Sequence, residues 1–166
     1  MPNITLLPVQ DDAQIDAVSQ LARFIWQEHY LPILGEEQVT YMLENFQSRE
    51  NISEDVASKL NDYFLIQVDS HAVGYTAIEW RETELFVSKL YLLQESRGNG
   101  YAYQTMQQFI ELAIARQKER LSLTVNKHND STIRFYEEIG FKRTDEVVSP
   151  IGNGFVMDDY IYQLDV

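Results

Sequence analysis

Residues 90–102 read LYLLQESRGNGYA: an apolar run, a short polar stretch, then two glycines one residue apart. From Tyr101 onward the apolar residues Ala102, Met106, Phe109, Ile110, Ala113 and Ile114 recur at spacings of three and four. The pattern predicts a strand that hands over to a helix through a glycine turn. A turn of that kind leaves backbone N–H groups unpaired at the positive end of the helix dipole, so the junction is a candidate anion site. Arg97 places a cation beside it, Gly98 and Gly100 let the backbone approach a bulky phosphate, and Ala102 keeps the first helical turn slim. The motif is not a Walker loop, which needs Gly-Lys followed by Ser or Thr. Nor is it G-x-G-x-x-G, because Tyr103 stands where the third glycine would be. Taken alone, the two glycines also fit a plain turn.

After the helix, Leu121, Leu123 and Val125 alternate with polar residues as a strand does, and a strand, helix, strand unit makes its two strands parallel neighbours. Before the junction, Tyr63 to Val68, Val73 to Arg81 and Leu85 to Leu93 read as three strands. The turns Asp69-Ser70-His71 and Glu82-Thr83-Glu84 join them into an antiparallel meander. The front of the chain is mostly helical. A strand at Ile4 to Leu7 leads, through Asp11-Asp12 as a cap, to a helix striped by Ile15, Val18, Leu21, Ala22, Ile25 and Trp26. His29 to Pro32 breaks that pattern. Val39, Met42, Leu43 and Phe46 mark a second helix after Gly35, and Ser53 is the expected cap of a shorter one carrying Val56 and Leu60. At the back, Asn129 or Ser131 caps a helix through Phe135, Tyr136 and Ile139 that Gly140 ends. Phe141 to Arg143 and Tyr160 to Leu164 supply closing strands, with Ser149 to Gly154 as a loop.

At 166 residues and 45% apolar content the chain predicts one domain, residues 1–166, with one sizeable core. No window reaches the roughly 18–20 apolar residues of a membrane span, and the first residues lack a basic segment followed by an apolar one, which implies a cytoplasmic protein without a membrane partner. The absence of cysteine excludes disulfides, thiolate metal sites and cysteine nucleophiles, and His29, His71 and His128 have no metal-ligand spacing. A net charge of −13 argues against nucleic acid and admits a cationic partner. The acidity is uneven: residues 1–86 hold 15 Asp and Glu against 4 Lys and Arg, and residues 87–166 hold 11 against 9.

The stretch RGNGYA fits the signature Q/R-x-x-G-x-G/A, with Arg97, Gly100 and Ala102 at its fixed positions. NKHNDSTIRFYEEIGFKR, residues 126–143, fits a second signature, N-x-x-A-x-x-F-Y-x-x-x-G-F, with Thr132 where alanine is usual. On these two segments the chain resembles the GNAT family of N-acetyltransferases. That resemblance implies an α/β (α+β) GNAT fold, a mixed, mostly antiparallel sheet of about six to seven strands flanked by about four to five helices. It also implies acetyl coenzyme A as co-substrate. Leu90, Tyr91 and Leu92 would pair their backbone with its pantetheine arm, Arg97, Gly98, Asn99, Gly100, Tyr101 and Ala102 would hold its pyrophosphate, and Asn129 would bond it near the pantetheine. Tyr136 would lie beside the sulfur as general acid. The other readings are a helix cap for Asn129, which can play both parts, and an ordinary packed aromatic for Tyr136, against which the FYEEIGF context speaks.

Acetyl transfer to an amine needs a neutral amine, a polarised thioester carbonyl and a proton for the departing thiolate. A phenol of pKa roughly 10 keeps its proton at neutral pH yet can donate as the thiolate forms. The Leu92 N–H can polarise the carbonyl. For the base, Glu79 is the first candidate because relatives often carry a carboxylate near there, and Ser88 stands where some of them carry an acid. The stretch Trp26 to Phe46 and the segment GFVMDDYIYQL are similar to bacterial polyamine acetyltransferases, and an acidic acceptor side suits a small cationic amine. The family is often dimeric, which allows a homodimer. Alternatives are a non-catalytic acyl coenzyme A sensor, a protein or peptide N-acetyltransferase, and a nucleotide-binding protein.

Overall fold

The computed structural model describes residues 3–166. The chain runs β1 (Thr5–Pro8), α1 (Asp12–His29), α2 (Leu31–Leu34), α3 (Glu36–Asn45), α4 (Arg49–Ser58), β2 (Asp62–Val68), β3 (His71–Trp80) and β4 (Glu84–Leu92). A 3-10 turn, Gln94–Ser96, then leads to α5 (Tyr101–Ala115), β5 (Arg120–Asn126), α6 (Asp130–Ile139), β6 (Lys142–Gly152) and β7 (Phe155–Asp165). The strands form one seven-stranded sheet in the order β1-β2-β3-β4-β5-β7-β6. Neighbours are antiparallel except β4 and β5, which are parallel and joined through α5, as the strand, helix, strand pattern predicts.

Local chemistry explains most boundaries. Asp11 accepts from Gln14 N at 2.8 Å while the Gln14 side chain accepts from Asp11 N at 3.1 Å, a reciprocal cap that starts α1. The shorter helix, α4, starts earlier than its expected cap Ser53, because Ser48 accepts from Asn51 N at 3.2 Å and Ser53 lies inside the helix. The break at His29 to Pro32 contains a further turn of helix, α2, where Pro32 sits at the start and loses no hydrogen bond, so among the described residues six α-helices surround the sheet rather than four or five. The closing strands are far longer than expected. Ser149 to Gly152 belongs to β6, and the hairpin turns at Asn153 and Gly154, with φ of 54° and 79°. An Asn-Gly pair between two apolar runs is itself a hairpin signal.

Strand alternation divides the core between the sheet's two faces. Tyr63, Leu65, Tyr75, Ala77, Tyr91 and Met157 pack against α1, α3 and α4 on one face. On the other, Leu85, Val87, Leu121, Leu123 and Tyr162 pack against Met106, Phe109 and Ala113 of α5 and Tyr136 of α6. Among the described residues no helix is long and apolar enough to cross a membrane.

The feature that positions the site is the junction of β4 and β5. Their pairing covers only Glu84–Arg120, Leu85–Leu121 and Phe86–Ser122. At this closed end Glu84 lies 3.7 Å from Arg120 and 3.6 Å from Arg81, and it accepts from the Ser122 hydroxyl. Past Phe86 the strands part. The register of β3 on β4 steps from Ala77–Lys89 to Ile78–Val87, leaving Ser88 as an extra residue whose hydroxyl donates to Ala77 O at 3.1 Å. An extra residue increases local twist and bends the strand, which turns β4 away from β5.

Candidate active site

The fork encloses a cavity of about 540 Å³, within the range of small-molecule sites. One wall is β4 from Val87 to Leu92, whose backbone edge has lost β5 as a partner. Thr124, Val125 and Asn126 of β5 form the opposite wall. Gly98, Gly100, Tyr101 and Ala102 of the glycine turn, Asn129 just before α6 and Tyr136 of α6 complete the lining.

Of the glycine turn, Gly98 and Gly100 both adopt φ of 80°, a conformation that disfavours side chains, and the space where a Cβ of Gly98 would lie is open. Gly100 caps α5 with no side-chain hydrogen bond, so the first-turn N–H groups are left for a ligand. Asn99 does not line the cavity. Its amide instead donates to Ser96 O at 3.0 Å and Arg97 O at 3.3 Å, which shapes the turn from behind.

Arg97 and Asn129 meet through a residue that periodicity gave no reason to single out. Arg97 faces His29 Nδ1 at 3.2 Å and donates to Leu92 O at 3.3 Å, while His29 Nε2 is 3.1 Å from Asn129 Oδ1. A guanidinium can only donate, so Nδ1 is the accepting nitrogen and Nε2 carries the proton given to Asn129. The imidazole is therefore neutral. Burial, and Arg97 after it, push its pKa below the ordinary value. Asn129 thus precedes α6 without a side-chain capping bond, its oxygen turned to His29 instead.

Tyr136 is 6% exposed and lines the cavity from α6. Burial, with Tyr30 adding to it, pushes its phenol far above the ordinary range, so the group holds its proton at neutral pH. Tyr30 is itself pushed up to about 12, first by burial. Trp26, Tyr30 and Tyr91 line the same cavity as an aromatic cluster: Trp26 and Tyr30 stack at 4.4 Å, and Tyr91 lies 5.7 Å and 6.1 Å from them, edge to face.

The chain matches the Acetyltransferase (GNAT) family over residues 19–141. It belongs to the GNAT acetyltransferase family. Over 71 residues it is 35% identical to the uncharacterised N-acetyltransferase YycN of Bacillus subtilis (strain 168), a match spanning 43% of this chain and 46% of that protein. The chain therefore matches about half the length of that curated relative. Its fold is similar to the PaiA N-acetyltransferase of Thermoplasma acidophilum, solved with coenzyme A, at TM-score 0.81, 18% identity and 99% coverage of both chains. It is also similar to a GNAT acetyltransferase of Elizabethkingia anophelis solved with acetyl coenzyme A, at TM-score 0.66, 13% identity and full coverage of both chains.

Within this GNAT fold the structure gathers Leu90, Tyr91, Leu92, Arg97, Gly98, Gly100, Tyr101, Ala102, Asn129 and Tyr136 around one cavity. It does not bring Glu79 there. Glu79 pairs with Phe86, at the closed end of the fork, and its 39% exposed carboxylate lies 3.5 Å from Arg81 Nε. The carboxylate in the cavity belongs to Asp159 of β7. Periodicity alone did not bring it forward, because β7 starts at Phe155, five residues before Tyr160, where the expected strand began.

Proposed function

We propose that this chain is an N-acetyltransferase that moves the acetyl group of acetyl coenzyme A to a primary amine, with Tyr136 as general acid. The observation that carries the reading is the fork. A parallel strand pair that opens beside a glycine-cradled helix start offers an unpaired strand edge to an extended arm and N–H groups to a diphosphate. The positive φ at Gly98 and Gly100 and the open space at Gly98 fit that ligand, since both let backbone come close to phosphate oxygens. Acetyl coenzyme A would supply the activated thioester.

In this reading Arg97 to Ala102 hold the pyrophosphate, and the β4 edge at Leu90 to Leu92 holds the pantetheine arm. His29 fixes Arg97 and Asn129 before the ligand arrives, which lowers the ordering cost of binding. Tyr136 gives its proton to the leaving sulfur, and its burial keeps that proton in place until charge develops there. A small cationic amine, such as a polyamine, is the acceptor that the acidity of residues 1–86 suits.

Two measurements test the reading: the melting shift with acetyl coenzyme A, and free-thiol release over a panel of polyamines, aminoglycosides, amino acids and a peptide. Tyr136→Phe should keep the melting shift and lose about 10²-fold or more in kcat. Full activity in that variant would remove Tyr136 as the acid. Binding without thiol release across the panel would leave the non-catalytic acyl coenzyme A module.

A further inference from the structure

The acetyl-transfer reading needs a group that takes the proton of the incoming ammonium, and Glu79 lies outside the cavity. We propose that Asp159 anchors and deprotonates the acceptor's ammonium group, in a socket walled by Trp26, Tyr30 and Tyr91. This inference rests on the acetyl-transfer reading and names the residue that selects its substrate.

Asp159 is the only carboxylate among the described residues that line the cavity. Its Oδ1 is buried with no hydrogen-bond partner among them, although a buried carboxylate oxygen left unpaired is costly. A site that keeps such a cost has a use for it, and the use that repays a buried anion is a cation. The nearby cations are engaged elsewhere: Lys127 Nζ pairs with the adjacent Asp158 at 2.9 Å, Arg97 is held by His29 and Leu92 O, and Lys89, also of the cavity wall, sets its Nζ over the Tyr63 ring at 5.4 Å. The aromatic side chains suit the same guest, since Trp and Tyr rings attract an ammonium through their negative faces.

Position supports the assignment. Met157 packs with α1, and Asp159, two residues on in the same strand, shares that face. Leu90 and Leu92, by contrast, pack with Tyr101 and Ala102 of the glycine turn. Asp159 and the aromatic cluster therefore approach the fork from the face opposite the phosphate cradle, where an acceptor would enter. The polar and titratable groups that line the cavity with it include His29 of α1 and Tyr30 just after it, Lys89 and Tyr91 of β4, Arg97, Asn129, and Tyr136 of α6, with Asp158 as its neighbour in β7.

The step balances. Asp159 takes one proton from the ammonium, and the freed nitrogen pair attacks the thioester carbonyl carbon. The C–N bond forms, the C–S bond breaks, and Tyr136 protonates the sulfur. The new amide nitrogen sheds its second proton, which restores the Tyr136 phenol. The proton on Asp159 passes to solvent, so each turnover releases one proton.

The test uses the full chain and its Asp159→Asn and Asp158→Asn variants. Calorimetry on the coenzyme A-loaded protein at about pH 7.5 measures diaminobutane binding, and thiol release measures kcat/KM. We expect Asp159→Asn to bind the diamine about 10- to 100-fold more weakly and to lose about 10²-fold in kcat/KM, with Asp158→Asn within about threefold of wild type. Asp159→Asn should lose far less with hydroxylamine, which is already neutral, a difference that a merely structural role would not produce. Diamine affinity and rate within about threefold of wild type in Asp159→Asn, or no diamine binding by wild type, would overturn the proposal. Failure of the parent reading looks different: the wild type would show no melting shift with acetyl coenzyme A, whatever the diamine does.

Discussion

Asp159→Asn should make the protein more stable as well as less active, and the gain should depend on pH. Burial, and after it Asp158, push the Asp159 carboxyl from the ordinary 3.8 up to about 6 in the folded chain. The folded state then binds more protons than the unfolded state between those values. Stability is accordingly lost as pH rises through that window, and the loss is complete above about pH 6. A shift of about two units corresponds to roughly 3 kcal/mol at 1.36 kcal/mol per unit. Because the side chain keeps partial contact with solvent, about half of that, roughly 1–1.5 kcal/mol, is the expected effect. Asparagine keeps the shape and never ionises. Its variant should melt about 2–5 °C above wild type near pH 7.5 and level with it near pH 4. Scanning calorimetry of both proteins at the two pH values measures this, with Asp62→Asn, an exposed carboxylate, as the control for relief of the −13 net charge. An equal shift at both pH values, or none near pH 7.5, would show that ionising Asp159 costs the folded chain nothing. The case for an unpaired anion awaiting an ammonium would then fall.

Two glycines give further predictions. A Cβ at Gly74 would lie 2.2 Å from Tyr91 O and 3.0 Å from Leu92 Cα, both backbone, so Gly74→Ala must push β3 from β4; it should cost about 3 kcal/mol or more in urea unfolding and shrink the melting shift with acetyl coenzyme A. At Gly98 a Cβ meets nothing, so Gly98→Ala should cost only about 1 kcal/mol for its left-handed φ of 80°. It should nevertheless weaken acetyl coenzyme A by about tenfold or more in calorimetry, because the added methyl fills the cradle.

The sequence disclosed the parts of this fold that local chemistry controls. Residues 90–102 place a strand, a glycine turn and a helix start in order, and the structure keeps all three. The cap at Asp11 was legible for the same reason, being a bond between residues three apart. What depends on distant partners was not. The fork requires an extra residue at Ser88, and only the pairing with β3 shows that Ser88 is extra. His29 looked like the end of a helical pattern, yet its meaning comes from Arg97 and Asn129, 68 and 100 residues away. Glu79 is the candidate that the family resemblance suggests late in β3. Its side of the fork is set by its register with Phe86, which no spacing within the strand encodes. For Asp159 a usable signal existed, since Asn153-Gly154 marks a tight hairpin and would have extended β7 back across Asp159.

Stability and reactivity are divided along the single parallel pair of this sheet. At its closed end, Glu84, Arg120, Arg81 and Ser122 hold β4 to β5 with ionic and hydroxyl contacts, and the core of Leu85 and Leu121 lies fully buried beneath them. Six residues further along β4 the backbone edge is open, and beside the cations Arg97 and Lys89 the polar groups collected there include a neutral His29, protonated Tyr30, Tyr91 and Tyr136, and the unpaired Asp159. A folded domain retains unpaired groups only where other contacts make up the loss. The clamp at the closed end fixes the spread of the strands, so the open end does not collapse to satisfy its own polar groups. Phenols that keep their protons beside one carboxylate that can take one are the inventory an amine acylation requires, and here a single opening between two strands brings them together.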